Sequence, residues 1–113
     1  MTVLIVEPNK EPYVKEIDPG LESIQREVGG WIETVYPFDD NVVIVCNEEG
    51  KILGLPFNRV LKDEEGNPYD VISGTFIVAG IEGQYGCDIC GLDESQITKY
   101  EERFHFPDFI KIV

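Results

Sequence analysis

Cys87-Asp88-Ile89-Cys90 sets two thiols at the spacing that lets both ligate one metal or form a redox pair. A zinc site needs two more ligands, and the remaining candidates are Cys46 and His105. Cys46 ends a β-branched run that reads as core strand, and His105 lies between Phe104 and Phe106. A thioredoxin-like pair belongs between a strand and the first turn of a helix, whereas Cys90 precedes Gly91-Leu92 and a helix cap of its own. The spacing is thus read as loop cysteines, and neither a metal nor another cofactor is expected. His105, the only histidine, has no nucleophile motif beside it. Gly80 to Gly86 lacks the Lys-Ser/Thr ending of a phosphate loop, and the alternating Asp/Asn spacing of an EF-hand is missing. The catalytic expectation is a protein that is not an enzyme.

Polar groups set among apolar neighbours are the better site candidates. Asn58-Arg59 interrupts Leu55-Pro56-Phe57 and Val60-Leu61, and Glu33 interrupts Trp31-Ile32 and Val35. Buried charge needs a partner, so an ion pair of Arg59 with Glu33 or Glu48 is expected. Two readings stay open: an internal salt bridge that fixes the sheet, or a binding pocket built from Glu33, Asn47, Glu48, Asn58 and Arg59.

Charge sets the wider limits. The 113 residues carry 22 Asp and Glu against 9 Lys and Arg, a formal charge of −13. Residues 1–56 hold 11 acids and 4 bases and residues 57–113 hold 11 and 5, so no acidic tail accounts for it. Asp39-Asp40, Glu48-Glu49, Asp63-Glu64-Glu65 and Glu101-Glu102 fall in turns or on a helix exterior. Such a surface repels phosphates and anionic lipid, which argues against direct nucleic-acid or membrane binding. It is also what a DNA-mimicking protein needs to enter a basic groove.

The elements that position these residues follow from periodicity. Length and 42% apolar content suit a single domain over 1–113. Thr2–Val6 is a continuous apolar run, as in strands buried on both faces, and 13–17 reads as a short second strand. Asp18-Pro19 reads as a helix start, with Leu21, Ile24 and Val28 as its stripe and Gly29-Gly30 as its stop. Strands are expected over 31–36 and 42–46. Asn47-Glu48-Glu49-Gly50 then reads as a hairpin connection, with glycine at a positive φ, into a third meander strand over 51–55. Residues 62–70 read as a mobile surface loop and 71–81 as strand. Asp93 with Gln96 forms a capping box, Leu92 with Ile97 a hydrophobic staple, and Ile97, Tyr100 and Phe104 a buried stripe. Pro107 stops this helix, and 109–113 reads as an edge strand able to pair two chains. The fold class is α+β: a mixed, mostly antiparallel sheet of five to six strands with two helices packed on one face.

The N-terminus resembles neither a signal nor a transit peptide, and no apolar run approaches membrane-span length, so a cytoplasmic protein is expected. Glu7-Pro8, Gly29-Gly30-Trp31-Ile32-Glu33, Asn47-Glu48-Glu49-Gly50, Pro56-Phe57-Asn58-Arg59, Ile72-Ser73-Gly74-Thr75-Phe76, Leu92 to Ile97 and Arg103-Phe104 together resemble the domain of unknown function 3846 family. The resemblance spans nearly the whole chain. It brings no catalytic residues; it implies an accessory protein of a Firmicute, phage or mobile element. The resulting expectation is a non-enzymatic interaction protein, in its sharper form an acidic inhibitor of a nucleic-acid-handling partner with a basic surface. The alternative is a small-molecule domain with a pocket at Glu33, Asn47, Asn58 and Arg59.

Overall fold

A computed structural model describes residues 1–63, 65–83 and 88–107. Three apolar strands form the centre: β1 (Thr2–Val6), β4 (Val42–Asn47) and β7 (Phe76–Glu82). Around them run β2 (Tyr13–Glu16), α1 (Leu21–Val28), β3 (Ile32–Val35), β5 (Phe57–Lys62), β6 (Pro68–Ser73), β8 (Asp88–Cys90) and α2 (Glu94–Arg103). The main sheet has six strands in the order β2-β1-β7-β4-β3, with β8 also on β7; β5 and β6 make a second, two-stranded sheet. Every described pairing is antiparallel.

Because β1, β4 and β7 are apolar at consecutive positions, both faces of the sheet must be covered. Val3, Ile5, Val43, Val45, Ile77 and Ala79 pack under Ile24 and Val28 of α1. Leu4, Val6, Ile44, Phe76 and Val78 face Leu61 and Ile72 of the small sheet and Tyr100 and Phe104 of α2. The helices therefore lie on opposite faces, which corrects the one-faced arrangement expected from the sequence. A helix of ten residues is too narrow to cover a sheet face, and the β5–β6 hairpin completes that layer.

α2 has the expected capping box. Asp93 accepts from Gln96 N at 2.8 Å while Gln96 Oε1 accepts from Asp93 N at 3.0 Å. Tyr100 and Phe104 are buried on its stripe. α1 starts later than Asp18-Pro19 suggests: Gly20 is its N-cap, without a side-chain cap, and the Asp18 carbonyl accepts from Ser23 Oγ at 2.6 Å. Leu21 is consequently exposed, while Ile24 and Val28 stay buried. Gly29 closes the helix at φ 81, a left-handed geometry that glycine adopts without a Cβ penalty.

The expected third meander strand over 51–55 is a helical turn, closed by Leu53 N to Glu49 O at 2.8 Å and Leu55 N to Gly50 O at 2.9 Å. Gly50 does not sit at positive φ; a Cβ there would lie 2.6 Å from the Ser73 carbonyl, so its role is close approach to β6. β4 consequently takes β7 as its second neighbour instead of a local strand. Of the loop expected over 62–70, Lys62 ends β5, Pro68 to Asp70 begin β6, and the described residues between them are bonded as a turn. Asp63 N donates to Asn67 O at 3.0 Å, and the Asp63 carboxylate accepts from Glu65 N and Asn67 N. The 71–81 segment divides at Gly74-Thr75 into β6 and β7. The edge strand expected over 109–113 lies outside the described residues.

Candidate functional site

The Asn58-Arg59 pair sits at a bulge. The β5–β6 register shifts between Phe57 and Arg59, so these adjacent residues escape the usual alternation and both turn inward. Asn58 is 0% and Arg59 1% exposed. Asn58 Nδ2 donates to Val6 O and Gly74 O, each at 2.8 Å, and Asn58 Oδ1 accepts from Arg59 Nη1 at 2.8 Å. Arg59 Nη2 donates to Lys10 O at 2.6 Å and Phe104 O at 2.8 Å, and Nε donates to Phe104 O at 3.2 Å. The Phe104 carbonyl lies at the C-terminal end of α2, where the helix dipole favours a cation. These bonds lock the small sheet to β1, to the β1–β2 turn and to α2. No ion pair joins Arg59 to Glu33 or Glu48 among the described residues, which corrects that expectation. Among the described residues the Arg59 donors go to the Lys10 and Phe104 carbonyls and to Asn58 Oδ1.

Glu33, Asn47 and Glu48 gather elsewhere, in a cleft of about 220 Å³ between β3, the 47–52 turn and β6. Asn47 closes one wall: its Nδ2 donates to Val28 O at 3.2 Å at the end of α1, and its Oδ1 accepts from Glu49 N at 2.8 Å. Across the cleft Lys51 Nζ meets Asp70 Oδ1 at 2.8 Å. That bond holds the Asp70 carboxyl below its ordinary range and pushes the Lys51 ammonium up. Cys46 lies in the wall, its thiol donating to the Glu33 carbonyl at 3.7 Å. Burial, then the charges of Glu33 and Asp70, push that thiol up to about 11, the reverse of what a nucleophilic cysteine requires. The five candidate residues thus divide between a buried structural node and an open cleft.

The remaining ligand candidates lie apart. Cys90 is half-buried on β8, its thiol raised by burial and then by Glu82 and Asp88. Cys87 lies outside the described residues. His105 follows α2, with Nε2 3.4 Å from Glu11 Oε1 and its ring edge-on to Phe106. Among the described residues no three His, Cys, Asp or Glu side chains come together as a metal site.

The structure adds residues that the chemistry-first reading passes over. Trp31, 68% exposed, immediately precedes β3, and Ile52, 87% exposed, shares the cleft wall with Glu33. Leu53 beside it is exposed too. A sequence signal exists: Gly50 and Gly54 bracket only Lys51-Ile52-Leu53, a spacing as compatible with a turn as with a short strand.

Among the described residues no helix is long and apolar enough to cross a membrane. No curated protein and no solved structure matches the chain. The model of one family, domain of unknown function (DUF3846), matches residues 1–105, in agreement with the order of motifs from the opening strand to α2. The chain belongs to the DUF3846 family.

Proposed function

We propose that this protein acts by binding another protein through its acidic surface, as a non-enzymatic accessory factor of a mobile element, phage or Firmicute host working in the cytoplasm. In its specific form the partner handles nucleic acid, and the acidic surface competes for its basic groove. One observation carries the reading: among the described residues four lysines are ion-paired, and the exposed carboxylates without an ion pair outnumber Arg26, Lys62 and Arg103, the exposed cations without one. Lys10 pairs with Glu7 at 3.8 Å, Lys15 with Glu27 at 2.7 Å, Lys51 with Asp70 at 2.8 Å and Lys99 with Asp40 at 3.4 Å. Arg59 is buried. Glu22, Glu33, Glu48, Glu49, Glu94 and Glu102 are exposed and have no ion pair among the described residues. Exposed pairs of this kind stabilise the fold little; their effect is to cancel part of the positive charge and leave a net negative field.

The small-molecule alternative is weaker on size. The cleft at Glu33 and Asn47 holds about 220 Å³, below the roughly 300 Å³ at which ligand pockets begin. Asn58 and Arg59, which that reading needs, are buried in bonds of their own.

The test is calorimetric titration against purified nucleic-acid-binding proteins encoded beside its gene, with duplex DNA as competitor. The expected result is binding that weakens by about tenfold or more between low and high salt, and displacement of the DNA. Salt-insensitive binding, or none, overturns it.

A further inference from the structure

β3 ends the main sheet, and no described strand lies on its outer side. Its pairing fixes which backbone groups point outward. Ile32 opposes Asn47, so Trp31 opposes Glu48, and Glu48 N donates to Trp31 O at 2.8 Å. In an antiparallel ladder such bonded positions alternate with unbonded ones. Trp31, Glu33 and Val35 therefore direct their N–H and C=O groups at β4, and Ile32 and Thr34 direct theirs away from the sheet.

The rim of this edge has a definite chemistry. Glu33 shares its face of β3 with exposed Trp31, and Ile52 lines the same cleft as Glu33. Glu48 and Glu49 stand in the adjoining turn, and Asp39 follows the strand's far end. The nearest cation in the cleft, Lys51, is held by Asp70. The opposite edge differs, because β2 carries Lys15, paired to Glu27 of α1.

We infer that the outer edge of β3 is the docking site of the protein partner, and that its occupant is an extended basic segment of that partner, with Lys or Arg alternating with apolar residues. The segment adds as a further antiparallel or parallel strand, bonding to Ile32 and Thr34. Because Trp31 and Glu33 share a face, the segment's cations on that face meet Glu33 and lie against the Trp31 ring, with Glu48 and Glu49 in the adjoining turn, and its apolar side chains fall on the face of Ile32. A second copy of this chain is the poorer occupant, because pairing β3 with β3 about a two-fold axis brings Glu33 toward its own symmetry mate. The inference rests on the acidic-surface reading and deepens it by naming the surface and the partner's conformation.

Trp31 is the only tryptophan, so its emission reports on this edge. The probe is a blocked peptide of about eight residues alternating lysine with valine; the control alternates lysine with proline, which has equal charge but cannot pair as a strand. Expected are a blue shift of Trp31 emission, slowed amide exchange at Ile32 and Thr34, and binding about tenfold or more tighter than to the proline control. Thr34→Pro, which removes one outward N–H, and Glu33→Lys, which inverts the local charge without touching the backbone, each weaken the peptide by a similar factor. Equal affinity for both peptides, or unchanged exchange at Ile32 and Thr34, overturns the β3 site while leaving the acidic-surface reading standing. Failure of both peptides to bind at low salt overturns both. Self-association through β3, seen as a dimer that Thr34→Pro dissolves, overturns the basic segment as occupant.

Discussion

Replacing Asn58 by Ala removes three hydrogen bonds from a site with no access to water. Val6 O and Gly74 O lose the donor each has at 2.8 Å, and Arg59 Nη1 loses its 2.8 Å acceptor, keeping the Asn58 carbonyl at 3.4 Å. A neutral bond contributes about 1 kcal/mol and a charge-assisted one about 2, which gives a loss of about 4 kcal/mol. Domains of this size are stable by only about 5–15 kcal/mol, so the variant falls within reach of global unfolding. In urea, monitored by far-UV circular dichroism, its midpoint drops sharply while the slope is unchanged; in a thermal melt the decrease is about 15 °C. Asn58→Asp separates hydrogen bonding from shape. It keeps an oxygen for Arg59 but turns a carboxylate oxygen on two carbonyls, so it is destabilised near neutrality and recovers as acid protonates it. A loss below about 1 kcal/mol for Asn58→Ala, at constant slope, would refute the assignment of this node as the link between the small sheet and β1.

Three further outcomes are expected. Tyr100 donates to Asp40 Oδ2 at 2.8 Å, and that bond is the main reason the Asp40 carboxyl lies below its ordinary range. Tyr100→Phe should therefore cost about 1–2 kcal/mol near neutral pH. A carboxyl lowered by folding adds stability above its unfolded pKa, so the gap between wild type and Tyr100→Phe stays level from about pH 5 to 8 and narrows below about pH 4; a gap that persists unchanged in strong acid contradicts this origin. Gly50→Ala places a methyl 2.6 Å from the Ser73 carbonyl, and the forced shift of β6 costs about 1–3 kcal/mol in chemical denaturation; a neutral variant would show that the approach is loose. Cys46, buried and pushed up to about 11, should resist iodoacetamide near pH 8 until denaturant is added, read by mass spectrometry of its peptide; rapid labelling of the native protein would refute its burial.

Where the fold was legible in the residues, the signal was local. The continuous runs of β1 and β4 specify strands covered on both faces, and Asp93, Gln96, Leu92 and Ile97 specify the start of α2 through bonds made within one turn. The errors arise where a distant element decides. Lys51 to Leu55 has enough apolar character for a strand, but Gly50 packs on Ser73 of β6, and the chain turns instead. Asp18-Pro19 carries the chemistry of a helix start, yet the helix is capped two residues later at Gly20, where Ser23 bonds back to Asp18. The two-faced sheet was implicit in the apolar runs themselves. Only the β5–β6 hairpin, whose bulge has no sequence signature, completes the second layer.

The candidate site shows the same division between residue type and partner. That Asn58 and Arg59 are misplaced in an apolar segment can be read from composition, and their burial follows. Which groups satisfy them cannot, because the acceptors among the described residues include the carbonyls of Val6, Lys10, Gly74 and Phe104, and a carbonyl is present at every position whatever the side chain. A charged residue looking for a partner in sequence finds Glu33 or Glu48, the wrong ones here, since backbone has no letter of its own. The docking edge is hidden for a related reason: whether Ile32 and Thr34 turn their amides outward depends on the β3–β4 register, in which Trp31 opposes Glu48. What remains visible is the residue chemistry that follows once the edge exists. Glu33 and Trp31 share a face because they are two apart on a strand, and an exposed tryptophan beside an uncompensated carboxylate has both the apolar area and the charge that a basic, extended partner would use.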